Sequence, residues 1–121
     1  MKRLLFAALF LVAAMQAQPV AQNAILKQQK YNQQDNVKLL KGELAPLVFG
    51  GTPPYQFEKE GPVKNTTVQI VPRGQYAGTF AAQPSPRNFQ GQAQFNYRVT
   101  DSTGQVSNIA TVTIIFGQEK G

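Results

Sequence analysis

The strongest constraint on this chain lies near its C-terminus, where Gln94-Phe95-Asn96-Tyr97-Arg98-Val99-Thr100 puts a large apolar side chain at each odd position and a polar one at each even position. A period of two belongs to an extended strand with one face in a core and the other in water. Asp101-Ser102-Thr103-Gly104 then supplies turn-forming residues. After a short loop through Asn108, Ala110, Val112, Ile114 and Phe116 alternate with Thr111, Thr113 and Ile115, a β-branched closing strand. Two such strands in succession commit the C-terminal third to a sheet.

The same grammar runs backward to Asn36, with short apolar runs separated by Gly, Pro, Asn and Ser. Val37-Lys38-Leu39-Leu40 reads as a first strand and residues 43–49 as a second. Gly50-Gly51-Thr52-Pro53-Pro54 breaks the ladder, because proline lacks a donor and paired glycines permit positive φ. Tyr55 and Phe57 share the buried face of a third strand, and Val68 and Ile70 that of a fourth. Val71-Pro72-Arg73-Gly74 is a turn. A fifth strand places Tyr76, Gly78 and Phe80 on one face, and Pro84-Ser85-Pro86 opens a connection that is not central strand. About seven strands without a long helix predict an all-β domain of two packed antiparallel sheets over residues 36–117. The tail, 118–121, is expected to be flexible.

The N-terminus has a different character. Met1-Lys2-Arg3 is a short positive region, residues 4–12 are apolar, and small residues follow at Ala13 and Ala14. This is the order of a bacterial signal peptide, residues 1–17, and the apolar run is shorter than the roughly 20 residues of a membrane span. Cleavage after Ala14 places Val12 and Ala14 at the two small-residue subsites, and cleavage after Ala17 is the alternative, with Met15 as its weaker point. The mature chain is therefore expected to be secreted or periplasmic, with no integral membrane segment. Residues 18–35 are rich in Gln and Asn and predict a flexible leader, with a short helix over 21–31 as the competing conformation.

Composition narrows function mainly by exclusion. Charged residues are 15% of the chain, against roughly 25% in average soluble domains, so the surface is polar without being strongly ionic. Without Lys2 and Arg3, ten cations oppose six anions. The cations are dispersed rather than gathered on one element, which argues against nucleic acid as a partner. The chain has no His and no Cys, so neither a Ser-His-Asp triad nor a thiolate nucleophile is available, and no cofactor or metal is expected. Glu58 and Glu60 are the one carboxylate pair spaced to share a strand face, the arrangement glycosidase chemistry would need. Beside Phe57 they read more simply as solvent-facing charges, and the chain is expected not to be an enzyme. Asp101 reads as a turn former, and Tyr97 either as a tyrosine bonded to nearby backbone or as ordinary core packing.

The run Gly50-Gly51-Thr52-Pro53-Pro54-Tyr55-Gln56-Phe57, the strand–turn–strand over 68–80, Asn88-Phe89-Gln90-Gly91 leading into Phe95 to Gly104, and Ala110-Thr111-Val112-Thr113-Ile114 together resemble the bacterial immunoglobulin-like and cadherin-like repeats of secreted and surface adhesin proteins. The resemblance implies an immunoglobulin-like Greek-key β-sandwich, here in a single copy and without the Asp-rich loops that hold calcium in many relatives. It implies a binding module for an extracellular or envelope protein or polysaccharide. The alternatives are a structural subunit of an envelope or secretion assembly, built through the leader, and a small secreted enzyme or inhibitor. Loops on a rigid sandwich usually carry recognition, which makes Thr52, Pro53, Pro54, Lys64, Asn65, Arg87 and Asn88 the candidate partner-binding residues.

Overall fold

The computed structural model describes residues 18–27 and 39–117. The expected signal peptide 1–17, the second part of the expected leader, Val37 and Lys38 of the expected first strand, and the tail lie outside the described residues. Within them the protein is all-β, with nine strands and one 3-10 turn.

The strands are β1 (Val20–Ala21), β2 (Ala24–Lys27), β3 (Leu40–Glu43), β4 (Val48–Phe49), β5 (Gln56–Lys64), β6 (Thr66–Ile70), β7 (Thr79–Pro84), β8 (Gly91–Thr100) and β9 (Ala110–Phe116). One sheet runs β2-β9-β8-β5, a second β3-β7-β6, and β1 pairs with β4. All pairings are antiparallel except β2 with β9, where Ala24 lies beside Val112 and Leu26 beside Ile114. The larger sheets pack face to face as a β-sandwich-like core. Phe95 on β8 meets Phe80 on β7 edge to face, with ring centroids 5.2 Å apart.

The alternation that opens the sequence reading is obeyed residue by residue. Ala93, Phe95, Tyr97 and Val99 are buried on β8, and Ala110, Val112, Ile114 and Phe116 on β9, while the intervening residues are half-buried. Burying each of the larger side chains contributes about 1.5–3 kcal/mol to the gross hydrophobic term, which makes these two strands the floor of the core.

Elsewhere the structure departs from the sequence expectation. The span 43–49 is not one strand. Glu43 ends β3, Ala45–Leu47 is a 3-10 turn, and only Val48–Phe49 is extended. Pro46 is the cause: its fixed φ suits a tight helical turn and its missing N–H cannot serve a ladder. Tyr76 and Gly78 do not belong to the fifth strand, which starts at Thr79. Tyr76 stands 66% exposed in the preceding turn, and Gly78 holds φ 91°. β7 is the central strand of its sheet and runs as far as Pro84, opposite Thr66, so that proline is a strand terminus rather than part of a loop. The span 61–67, expected as one of the loops that carry the candidate binding residues, is mostly strand. β5 and β6 meet across Asn65 alone, whose φ of 60° turns the chain from one sheet to the other. Asn tolerates that left-handed conformation better than most residues.

The largest correction concerns the leader. Residues 20–27 are not a flexible tether or a helix; they supply β1 and β2 to the fold. Ala24 and Leu26 turn inward while Ile25 and Lys27 face out. Four residues of alternation are too few to stand out in sequence, and the parallel pairing with β9 provides the missing backbone partners. Pro19 is fully buried, the Gln22 N–H donates to the Leu47 carbonyl at 3.1 Å, and the Thr111 N–H donates to Asn23 Oδ1 at 2.8 Å.

Candidate functional site: an apolar cleft between two strand edges

β2 and β3 are the edge strands of facing sheets, so each leaves one side of its backbone without a strand partner among the described residues. Between them the sandwich opens into a cleft of about 310 Å³. Leu44, Phe80 and Val112 form its base, Leu26, Leu40 and Leu47 its walls, and the exposed Lys27, Lys41 and Glu43 border it. Each wall has a local reason. Leu26 and Leu40 are the inward residues of short alternating strands, and Leu44 and Leu47 are brought inward by the turn at Pro46.

Gly42 is what lets β3 sit this close to the base. A Cβ there would lie 2.7 Å from Phe80 Cζ and 2.8 Å from Cε2, inside van der Waals contact. The result is an apolar slot flanked by unpaired strand edges. Such a slot suits an extended peptide, whose backbone can satisfy an edge while alternate side chains enter the slot. Sequence reasoning missed this site because its residues come from the expected leader and from two strands whose ends were misplaced. The available signal was modest: an Ala24-Ile25-Leu26 run inside an otherwise polar segment.

The seven candidate residues from the sequence do not converge. Thr52, Pro53 and Pro54 are exposed ahead of β5, where the Thr52 N–H donates to Asp101 Oδ2 at 3.0 Å and the Ser102 N–H to the Thr52 carbonyl at 2.9 Å. Lys64 and Asn65 lie at the far end of the nine-residue β5, roughly 30 Å away at about 3.3 Å per residue. Arg87 and Asn88 are with that second group: the Ser85 N–H donates to the Asn65 carbonyl at 3.0 Å, and Phe89 N–H to the Pro86 carbonyl at 2.8 Å closes the turn that carries them. The structure thus brings four of the seven to one end and leaves three at the other.

Glu58 and Glu60 do share the outer face of β5, and Arg98 on β8 binds both. Its Nη2 lies 2.8 Å from Glu58 Oε2 and its Nε 2.9 Å from Glu60 Oε2. With Arg98 the pair forms a partly exposed ion cluster. Asp101 is more than a simple turn former. Its Oδ1 accepts from Thr103 N–H, Thr103 Oγ1 and Gln105 N–H at 2.9, 2.7 and 3.0 Å, and these bonds, with that from Thr52, hold its carboxyl below the usual carboxylate range against the opposing effect of burial.

Tyr97 is fully buried, and its hydroxyl donates to the Gln22 carbonyl at 2.8 Å, a bond to backbone that is distant in sequence rather than nearby. Burial pushes its pKa up to about 12. Among the described residues there is no group of three or more acidic side chains able to hold a metal, and no helix long and apolar enough to cross a membrane. Comparison with protein-family models finds no match, and comparison with curated proteins finds no relative.

Proposed function

We propose that this chain is an exported, non-enzymatic immunoglobulin-like module, acting at or outside the cell envelope, that binds an extended segment of a protein partner along β2 and β3. The strand order β2-β9-β8-β5 against β3-β7-β6, with consecutive strands crossing between sheets, supports a Greek-key reading of the sandwich. The order of charged, apolar and small residues over 1–17 supports export. The observation that carries the binding reading is the apolar cleft whose two lips are both strand edges. It favours a peptide over a polysaccharide, since an extended peptide can supply both ladder hydrogen bonds and apolar side chains.

The alternative, a structural subunit of an envelope or secretion assembly, has the leader 18–35 folding against a neighbour; within the described residues Val20–Ala21 pair with β4 and Ala24–Lys27 with β9. A short synthetic peptide alternating Val and Thr, titrated into the labelled protein, tests the binding reading. Amide shift changes should concentrate on Ala24–Lys27 and Leu40–Glu43, and Leu40→Lys should weaken binding at least tenfold. Changes confined instead to the loops carrying Thr52 or Arg87, or binding indifferent to Leu40→Lys, would overturn it.

A further inference from the structure

Among the described residues Gln18 comes first and is exposed, while the side chain of Pro19 after it is fully buried. Pro19 is lodged against Gly51, where an added Cβ would lie 3.0 Å from Pro19 Cβ and 3.0 Å from Asp101 Oδ2. One residue further in, Ala21 is gripped at both backbone groups by the Asn108 amide, at 3.0 and 2.9 Å. The export reading, on which this inference rests, offers two cleavage positions. A cut after Ala17 leaves five residues between the apolar run and the cut, whereas one after Ala14 leaves two. The later cut exposes Gln18 as the first residue, a single residue outside the packed structure.

We infer that export frees Gln18 as the N-terminus and that this residue closes on itself to pyroglutamate. The reaction needs no oxidant and no co-reactant. The unprotonated α-amine attacks the side-chain Cδ, and a new N–Cδ amide bond forms. The Cδ–Nε2 bond breaks, and the leaving nitrogen takes the proton lost by the amine and departs as ammonia. Exposure leaves the side chain room to curl back, and the anchored Pro19 keeps the reaction outside the core.

Asp101, the carboxylate beside this end of the chain, already accepts four bonds, so it is engaged by backbone and Thr103 rather than reserved to hold Gln18 as an ammonium. The product loses one positive charge and presents no free amine to aminopeptidases. The strap formed by residues 19–23 stays fastened to the sandwich by Asn108 and Tyr97.

The test is to express the full chain with its export segment and measure the intact mass of the exported product. The expected mass is that of residues 18–121 less one ammonia. Stepwise chemical degradation of the product should release no residue, because no free α-amine remains. Gln18→Ala, at an exposed position, should start at the same place without the ammonia loss. A product that begins at Gln18 and keeps a free amine after prolonged incubation overturns the cyclisation while leaving export intact. A start at Met15 also overturns the inference. Retention of Met1 overturns the export reading itself.

Discussion

Asp101 and Tyr97 each join stretches of chain that local sequence gives no reason to connect. The Asp101 carboxylate holds its own turn through Thr103 and Gln105 and pins the Gly50–Pro54 loop through Thr52. Its folded pKa lies below the ordinary 3.8, so on acidification the unfolded chain takes up the proton first. The stabilisation is complete above that ordinary value and is lost as pH falls through the folded one. Asp101→Asn should therefore lower the urea midpoint at neutral pH and flatten its decline below roughly pH 4, which a series of urea titrations against pH measures. Tyr97 behaves in the opposite direction. Its folded pKa of about 12 exceeds the ordinary 10.0, so the unfolded chain loses its proton first and stability falls as pH rises through that interval. Tyr97→Phe leaves the Gln22 carbonyl without this partner, at a cost of about 1 kcal/mol near neutrality, and should remove that part of the alkaline loss.

Among the elements, β8 and β9 were the most legible, because seven consecutive residues of each, 94–100 and 110–116, carry alternate inward side chains, although β8 itself starts earlier, at Gly91. β3 and β4 were not. The sequence 43–49 is apolar enough for a strand, yet Pro46 bends it into a turn that delivers Leu44 and Leu47 to the cleft. The end of β5 was missed for a related reason: Gly61 and Pro62 look like punctuation, but the strand passes through them with a register shift between Glu60 and Lys64. Such an irregularity is tolerated on the outer strand of a sheet, where a proline need not serve a ladder on both sides. The approach of β3 to the core can be tested at Gly42. Because Phe80 is braced by Phe95, it cannot easily yield to a new methyl group. Gly42→Ala should cost about 1–3 kcal/mol in denaturant unfolding, the usual range for an overpacked site.

For the molecule as a whole, the N-terminal strap is the test of how the domain is bounded. A chain starting at Leu39 lacks β1 and β2, removes Ala24 and Leu26 from beside Val112 and Ile114, and strips partners from Tyr97 Oη, Asn108 and the Thr111 N–H. Compared with a chain starting at Gln18, it should be less stable by more than about 3 kcal/mol in urea titration, whereas removal of a mere tether would change nothing. By itself the sequence determined the all-β class, the two C-terminal strands with their inward faces, and the absence of the His and Cys on which triad, thiolate and common metal chemistry depends. These are properties of composition and of a two-residue period long enough to rise above chance. The tertiary structure alone decided that residues 20–27 are strand, that the candidate loops separate to opposite ends, and that a cleft remains between β2 and β3. Short edge segments take their conformation from the neighbour that pairs with them, and a cleft exists only where facing sheets fail to close, neither of which is written in any local run of residues.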